Sequence, residues 1–287
     1  MTKILVLGST GMAGHVITIY LHEKGYDVTA FTRKPFPYCK NIIGDVLDLN
    51  ATTEIVMKGN YDFIINCIGL LNNECEINKS KAIYLNSFLP NYLADITTNL
   101  KTKIIHLSTD CVFSGNNAPY YENSIKDGLT MYDRTKSLGE INDYKNLTFR
   151  NSIIGPDMSV DGIGLFNWFM KQKNIVNGYN MVNWTGVTTL ELAKAINFSI
   201  NNNINGIYHL VNNISISKYS LISLIKNEFK LSTIINETNT PISNKILIST
   251  RDDFKFKVNN YDVMIREIKD WIYSHRYLYP HYFEEKK

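Results

Sequence analysis

The chain reads as an α/β protein: a Rossmann-type, doubly wound parallel sheet carrying a smaller mixed α/β lobe. Three observations predict it. Short, nearly all-apolar runs alternate with helix-like segments through the first half, the pattern of strands covered on both faces by crossover helices. The first run, Lys3–Leu7, leads directly into glycines at positions 8, 11 and 14 and then into a helix pattern. The polar clusters found further along all sit directly after a strand-like run, the end at which such sheets bind ligands.

The elements follow in order. Strand-like runs occupy Lys3–Leu7, Asp27–Thr32, Phe63–Ile68, Lys103–Ser108 and Leu147–Ser152, with helix-like segments at Met12–Lys24, Thr52–Lys58, Ser80–Thr98 and Thr130–Ile141. After Gly155 the alternation breaks down. Pro156–Gly164 reads as a loop, Leu165–Lys173 as a short helix, Thr188–Ile200 as a longer one, and Ile207–Val211 as a strand rejoining the sheet edge. Lys245–Ser249 reads as a further strand, and helical spacing of Trp271 with Ile268 and Ile272 predicts core packing of the aromatic tail. The expected division is a dinucleotide-binding domain over 1–155, to which 180–212 returns, and a substrate lobe from 156–179 and 213–287.

At 287 residues, 44% hydrophobic and 20% charged, the chain has an ordinary globular composition. Its net charge of +3 is spread without a basic block, which argues against a nucleic-acid surface. No run approaches the roughly 20 apolar residues of a membrane span. The apolar stretch near the amino terminus is too short for a signal peptide. Cys39, Cys67, Cys75 and Cys111 form neither a CxxC pair nor a zinc-type cluster with histidine, so no metal and reduced thiols in a cytoplasmic setting are expected.

Three motifs carry chemistry. In Gly8-Ser9-Thr10-Gly11-Met12-Ala13-Gly14, the first glycine allows the tight turn, the second lets backbone approach a pyrophosphate, and the third lets helix pack on strand. Helix amides and dipole then face the phosphates. Alone, this is also an ordinary glycine turn. In Tyr132-Asp133-Arg134-Thr135-Lys136, tyrosine and lysine at i and i+4 share a helix face, and an ammonium beside a phenol would lower its pKa from about 10. The spacing is also common on surface helices. Ser108-Thr109-Asp110, at a strand's carboxyl end, offers hydroxyls to a carbonyl or ribose, or equally to the next turn. The second strand ends in Thr32-Arg33-Lys34 with no carboxylate for a ribose 2′-hydroxyl, a basic end suited to the 2′-phosphate of NADPH over NADH.

Together these motifs resemble the extended short-chain dehydrogenases/reductases. Leu107-Ser108-Thr109-Asp110-Cys111-Val112-Phe113-Ser114-Gly115, with Tyr132-Asp133-Arg134-Thr135-Lys136-Ser137-Leu138-Gly139-Glu140, is similar to the dTDP-4-dehydrorhamnose reductase branch and its nucleotide-sugar relatives. The resemblance covers Met1–Gly155 and continues more thinly through Trp184–Ala195 and Gly206–Val211. It implies Tyr132 as general acid, Lys136 on the nicotinamide ribose, and Thr109 on the keto oxygen, with Ser108 beside it at the cofactor. Asp110, Asn151 and Trp184 are implied on the sugar, Trp184 being equally readable as a packed core residue. Gly8, Thr10, Gly11, Met12, Ala13 and Gly14 would hold the pyrophosphate, with Arg33 and Lys34 at the ribose. Asp45 and Val46 would meet the adenine, and Cys67, Ile68 and Gly69 would pass along ribose and phosphates.

Cys111 stands where the branch has tyrosine, Lys126–Met131 replaces a proline-rich approach to the catalytic tyrosine, and Asn151-Ser152-Ile153-Ile154 replaces an Arg-Thr-Ser-Trp pattern. The implied function is an NADPH-dependent 4-ketoreductase of a nucleotide-linked 4-keto-6-deoxyhexose for surface polysaccharide, with a homodimer as the expected assembly. The substrate is dTDP-linked or an N-acetylated UDP sugar. Two rivals stand beside it: an epimerase or dehydratase on the same scaffold, and a non-catalytic NADP-binding regulatory subunit.

Overall fold

The structure, a computed structural model, describes residues 1–283. In chain order the elements of the first half are β1 (Lys3–Leu7), α1 (Met12–Glu23), β2 (Asp27–Thr32), β3 (Lys40–Ile43), α2 (Leu49–Lys58), β4 (Phe63–Asn66), α3 (Asn73–Ile77) and α4 (Lys79–Ile83). A π-helical turn, Tyr84–Phe88, leads into α5 (Leu89–Ile96), and β5 (Lys103–Leu107), α6 (Met131–Leu138), β6 (Leu147–Arg150) and β7 (Ile153–Ile154) follow. The second half contains α7 (Leu165–Met170), β8 (Ile175–Tyr179), β9 (Val182–Trp184), β10 (Val187–Thr188), α8 (Thr189–Asn202), β11 (Gly206–His209), β12 (Ile216–Ser217), α9 (Lys218–Phe229), β13 (Ile234–Thr238), β14 (Ser243–Asn244) and α10 (Tyr261–Ser274).

Seven strands form one sheet in the order β11-β6-β5-β4-β1-β2-β3, every neighbouring pair parallel. Alternation along β1 shows how it is covered. Ile4 and Val6 enter one core with α1, α8 and α10, whereas Leu5 and Leu7 enter a second core with Val56, Leu89 and Leu93. The strand order reverses between β1 and β4, and that switch point opens a crevice at their carboxyl ends.

The small lobe is built from fragments. β12 and β14 flank β9, β13 pairs with β8, and β10 pairs with β7.

Several expectations need correction. Edge strand β3 escapes the apolar pattern because its four residues are exposed or half-buried. The helix expected over Ser80–Thr98 is interrupted by the π-helical turn. Lys245–Ser249 makes only a single bridge, Leu247 to Tyr120, in place of a strand. The aromatic tail packs into the core as its helical spacing predicts, in the cluster that α1 and α8 share with α7 and α9. Trp271 and Tyr279 are buried there, and Tyr279 meets buried His15 of α1 at 2.8 Å.

Candidate active site

The cofactor end is made mostly of backbone. Gly8 adopts a φ of +83°, and a Cβ there would fall 2.9 Å from Ile68. A Cβ on Gly14 would fall 2.1 Å from the Gly8 carbonyl oxygen, so α1 lies directly on the turn that ends β1. Gly14 and Ala13 are buried in the first turns of α1. Met12 is half-buried, its sulfur against the position a Cβ on Gly164 would take.

The crevice itself encloses about 230 Å³. Gly8, Thr10 and Gly11 line it after β1, Thr32 and Arg33 after β2, Asp45 and Val46 after β3, and Cys67–Leu70 after β4. Lys34 lies on an adjoining hollow shared with Thr10 and Arg33. The Thr32 hydroxyl donates to the Lys34 carbonyl at 2.6 Å and accepts from the Asn41 amide, which shapes the basic turn and leaves Arg33 and Lys34 exposed. The elongated crevice, the twelve-residue helix beginning at its floor, and the cations at one end fit a dinucleotide with a 2′-phosphate.

The catalytic end is set by α6. Thr130 and Asp133 form a reciprocal capping box: the Thr130 hydroxyl accepts from the Asp133 amide, and the Asp133 carboxylate accepts from the Thr130 amide. Asp133 is therefore structural. Beginning the helix there puts Tyr132 and Lys136 one turn apart on one face. The π-helical turn braces that helix, since Asn86 donates to the Thr135 hydroxyl at 3.1 Å and Ser87 to the Thr135 carbonyl at 2.7 Å. Asn86 also binds the Leu70 amide and carbonyl, tying α6 to the crevice wall.

Lys136 is 4% exposed, and its Nζ lies 4.0 Å from where a Cβ on Gly69 would stand, at the crevice floor. It donates to the Leu107 carbonyl at 2.6 Å and approaches His106 Nε2 at 3.4 Å. Burial lowers Lys136 to about 8, with Glu140 acting against that shift. The same burial, with Lys136 nearby, holds His106 well below the usual histidine range.

Tyr132 departs from expectation. Burial pushes its phenol above the ordinary tyrosine value and Cys111 and Asp110 push the same way, while the nearby Thr109 hydroxyl opposes them. Lys136, its ammonium drawn to the Leu107 carbonyl, does not lower the phenol as the spacing had suggested. Thr109 is buried, accepts from the Cys111 amide at 3.1 Å and donates to Asp110.

Ser108, expected beside the cofactor, instead donates to Glu140 at 2.7 Å. Glu140 also takes a bidentate pair from Arg150 at 2.6 and 2.8 Å. Burial raises Glu140, but the Arg150 hydrogen bond and charge outweigh it and leave the carboxyl low. With Arg150 also meeting His209 at 3.2 Å, this network clasps the ends of β5, β6 and β11.

On the sugar side, the Asp110 amide donates to the Asn151 carbonyl at 3.3 Å. Asn151 and Trp184 are buried, and the Asn151 Nδ2 and Trp184 Nε1 atoms have no hydrogen-bond partner among the described residues. Trp184 packs against Tyr261, which donates to its carbonyl, so its ring is a core residue with one polar edge unspent. Burial raises Asp110, against the pull of Lys245 and Lys218. Sequence reasoning missed Asn86, His106, Glu140 and Lys218. Glu140 ends the Tyr132–Glu140 motif and His106 lies on the strand leading into Ser108, whereas Asn86 and Lys218 carry no local signal in a chain rich in asparagine and lysine.

Comparison with known proteins places this arrangement. A family model described as the RmlD substrate binding domain matches residues 1–154. The spore coat polysaccharide biosynthesis protein SpsK of Bacillus subtilis is 28% identical over 248 residues, 84% of this chain and 84% of that one. Other curated relatives are matched over less than half their own length. A dTDP-4-dehydrorhamnose reductase from Bacillus anthracis, solved in complex with NADP, superposes with a TM-score of 0.80 at 17% identity over 94% of this chain and 99% of that one. A UDP-N-acetylglucosamine 4-epimerase from Methanobrevibacter ruminantium superposes almost as well, with a TM-score of 0.79 at 17% identity over 96% and 99%. The fold is therefore shared by reductase and epimerase, and only the site can separate them.

Proposed function

Because this chain belongs to the RmlD substrate-binding-domain family of extended short-chain dehydrogenases/reductases, we propose that it is an NADPH-dependent 4-ketoreductase of a nucleotide-linked 4-keto-6-deoxyhexose. The observation that carries the reading is the reach of Lys136. Its amine spans from the helix bearing Tyr132 to the Gly69 floor of the dinucleotide crevice, joining the two ends into one site.

NADPH, when bound, supplies a hydride to sugar C4. The chain's residues do the rest. Gly8, Thr10 and Gly11 seat the diphosphate on backbone amides, and Arg33 with Lys34 meets the 2′-phosphate. Lys136 holds the nicotinamide ribose. Thr109 and Tyr132 hydrogen-bond the keto oxygen, and the Tyr132 hydroxyl gives its proton to that oxygen as charge develops there. A phenol raised by burial suits this direction, because it stays protonated until a more basic alkoxide forms. Asp110 and Asn151 face the sugar.

The basic turn at Arg33-Lys34 favours an exchangeable NADPH over the tightly held NAD of an epimerase, and Thr109-Asp110 lacks the Asp-Glu pair expected of a 4,6-dehydratase. The function of SpsK, in a spore coat polysaccharide, supports a role in supplying a surface glycan.

The test is NADPH oxidation by the purified protein with a panel of dTDP- and UDP-linked 4-keto-6-deoxyhexoses, with and without a 2-acetamido group. Turnover of at least one is expected. NADPH binding without turnover of any would favour the regulatory-subunit reading.

A further inference from the structure

The wall facing Asp110 carries more unspent positive charge than the reduction of a ketone requires. Lys218 opens α9 directly after β12, and Lys245 follows β14, so the strands flanking β9 on its two sides each deliver one lysine. The Lys218 ammonium lies 4.7 Å from the centre of the Trp184 ring. That ring rests against Gly186, whose Cβ would fall 2.3 Å from the ring and 2.1 Å from the Ser152 carbonyl. Ser152 follows Asn151, which accepts from the Asp110 amide, and Asp110 feels both lysines. Two ammoniums and the Trp184 indole are thus brought into the neighbourhood of Asp110.

What this neighbourhood lacks is acceptors. Neither lysine makes a hydrogen bond or ion pair with any described residue. The Trp184 N–H is buried without a partner, and the amino end of the twelve-residue α9 adds its own positive potential. A lone Asp110 carboxylate leaves two ammoniums undercompensated in a half-buried setting, a costly arrangement without an anion. Neutral sugar hydroxyls or an acetamide carbonyl would accept hydrogen bonds but would not balance the charge. A diphosphate does both.

We propose that Lys218 and Lys245 form the subsite for the diphosphate of the nucleotide sugar, with the Trp184 N–H as a neutral donor to the same group. This rests on the nucleotide-sugar reading above and assigns the residues that make the nucleotide, and not only the sugar, a requirement for binding. The cofactor's own diphosphate is held elsewhere, on the amino end of α1.

Calorimetric titration of the NADP-loaded protein with UDP and dTDP, which lack any sugar, tests the assignment. Lys218→Met and Lys245→Met should each weaken nucleoside diphosphate binding by about ten- to a hundredfold, the scale of a lost charged hydrogen bond. NADPH affinity should stay within about twofold, which also certifies the fold. Lys218→Arg should recover most of the loss. Unchanged UDP and dTDP affinities in the Met variants of a wild type that turns over its sugar would overturn the lysine assignment alone. A wild type that binds NADPH but neither nucleotide would overturn the nucleotide-sugar reading itself and the subsite with it.

Discussion

The two sides of the crevice are built on opposite plans. On the cofactor side, regular parallel strands meet at the glycine turn after β1, and the proposed recognition is by main-chain amides whose positions follow from the fold. On the sugar side, strands of two to five residues are joined by segments that hold Lys218, Lys245 and Asn151, and under the proposed reading recognition falls to these lysines, the Trp184 N–H and the Asn151 amide, the last two having hydrogen-bonding capacity left over. The first plan tolerates almost any side chain but no added carbon at the turn. The second tolerates backbone drift but depends on single functional groups. A reductase family can thus keep one cofactor while changing its sugar.

The comparison can be broken at its strongest point first. Tyr132→Phe removes the proposed proton donor while leaving the crevice intact. We expect kcat to fall by about 10²–10⁴-fold with NADPH affinity unchanged in fluorescence titration. A loss of only a few-fold would mean that another group delivers the proton.

Gly14→Ala probes the opposite plan with a single carbon. Its Cβ would press on the Gly8 carbonyl at 2.1 Å, so helix and turn must separate. A destabilisation of about 1–3 kcal/mol is expected in chemical denaturation, with NADPH binding weakened in parallel. Binding of UDP or dTDP should change far less.

A smaller effect is expected from Arg33→Ser. The preference for NADPH over NADH should drop by about tenfold or more, read as the ratio of kcat/KM for the two cofactors.

The mildest test is pH. Lys136, the group proposed to hold the cofactor's ribose, is lowered to about 8 against about 10.4 in an unfolded chain. Between those values the unfolded chain binds the extra proton, so this residue makes stability rise as pH climbs through that window. NADPH affinity should move the other way, constant below about 8 and weakening above it as the ammonium is lost. Lys218, also lowered to about 8 by burial, should weaken the nucleotide sugar over the same range, so Lys218→Met should flatten the substrate's profile and leave the cofactor's unchanged.

These contrasts also explain what could be read from residues alone. Gly8, Gly11 and Gly14 announce themselves because a backbone site demands their spacing, and the apolar runs from Lys3 to Arg150 announce a covered sheet. Edge strand β3 was hidden because an edge needs no apolar run. The π-helical turn was hidden because Asn86 looks like any other asparagine until it is found binding Leu70 and Thr135. Tyr132 and Lys136 were legible as a pair, but their electrostatics were not. Whether the ammonium faces the phenol or the Leu107 carbonyl is settled by packing, not by spacing. The lobe's lysines were illegible because strands β9, β12 and β14 are too short to leave a periodic trace.

The most direct test of one shared pocket is to follow the hydride. Incubating the protein with NADPH carrying deuterium at nicotinamide C4 and a nucleotide-linked 4-keto-6-deoxyhexose, then locating the label by NMR, should give a sugar alcohol deuterated at C4, formed by wild type and nearly absent with Tyr132→Phe. Sugar recovered without deuterium at C4 from every substrate tried, while NADPH still binds in its crevice, would contradict the account.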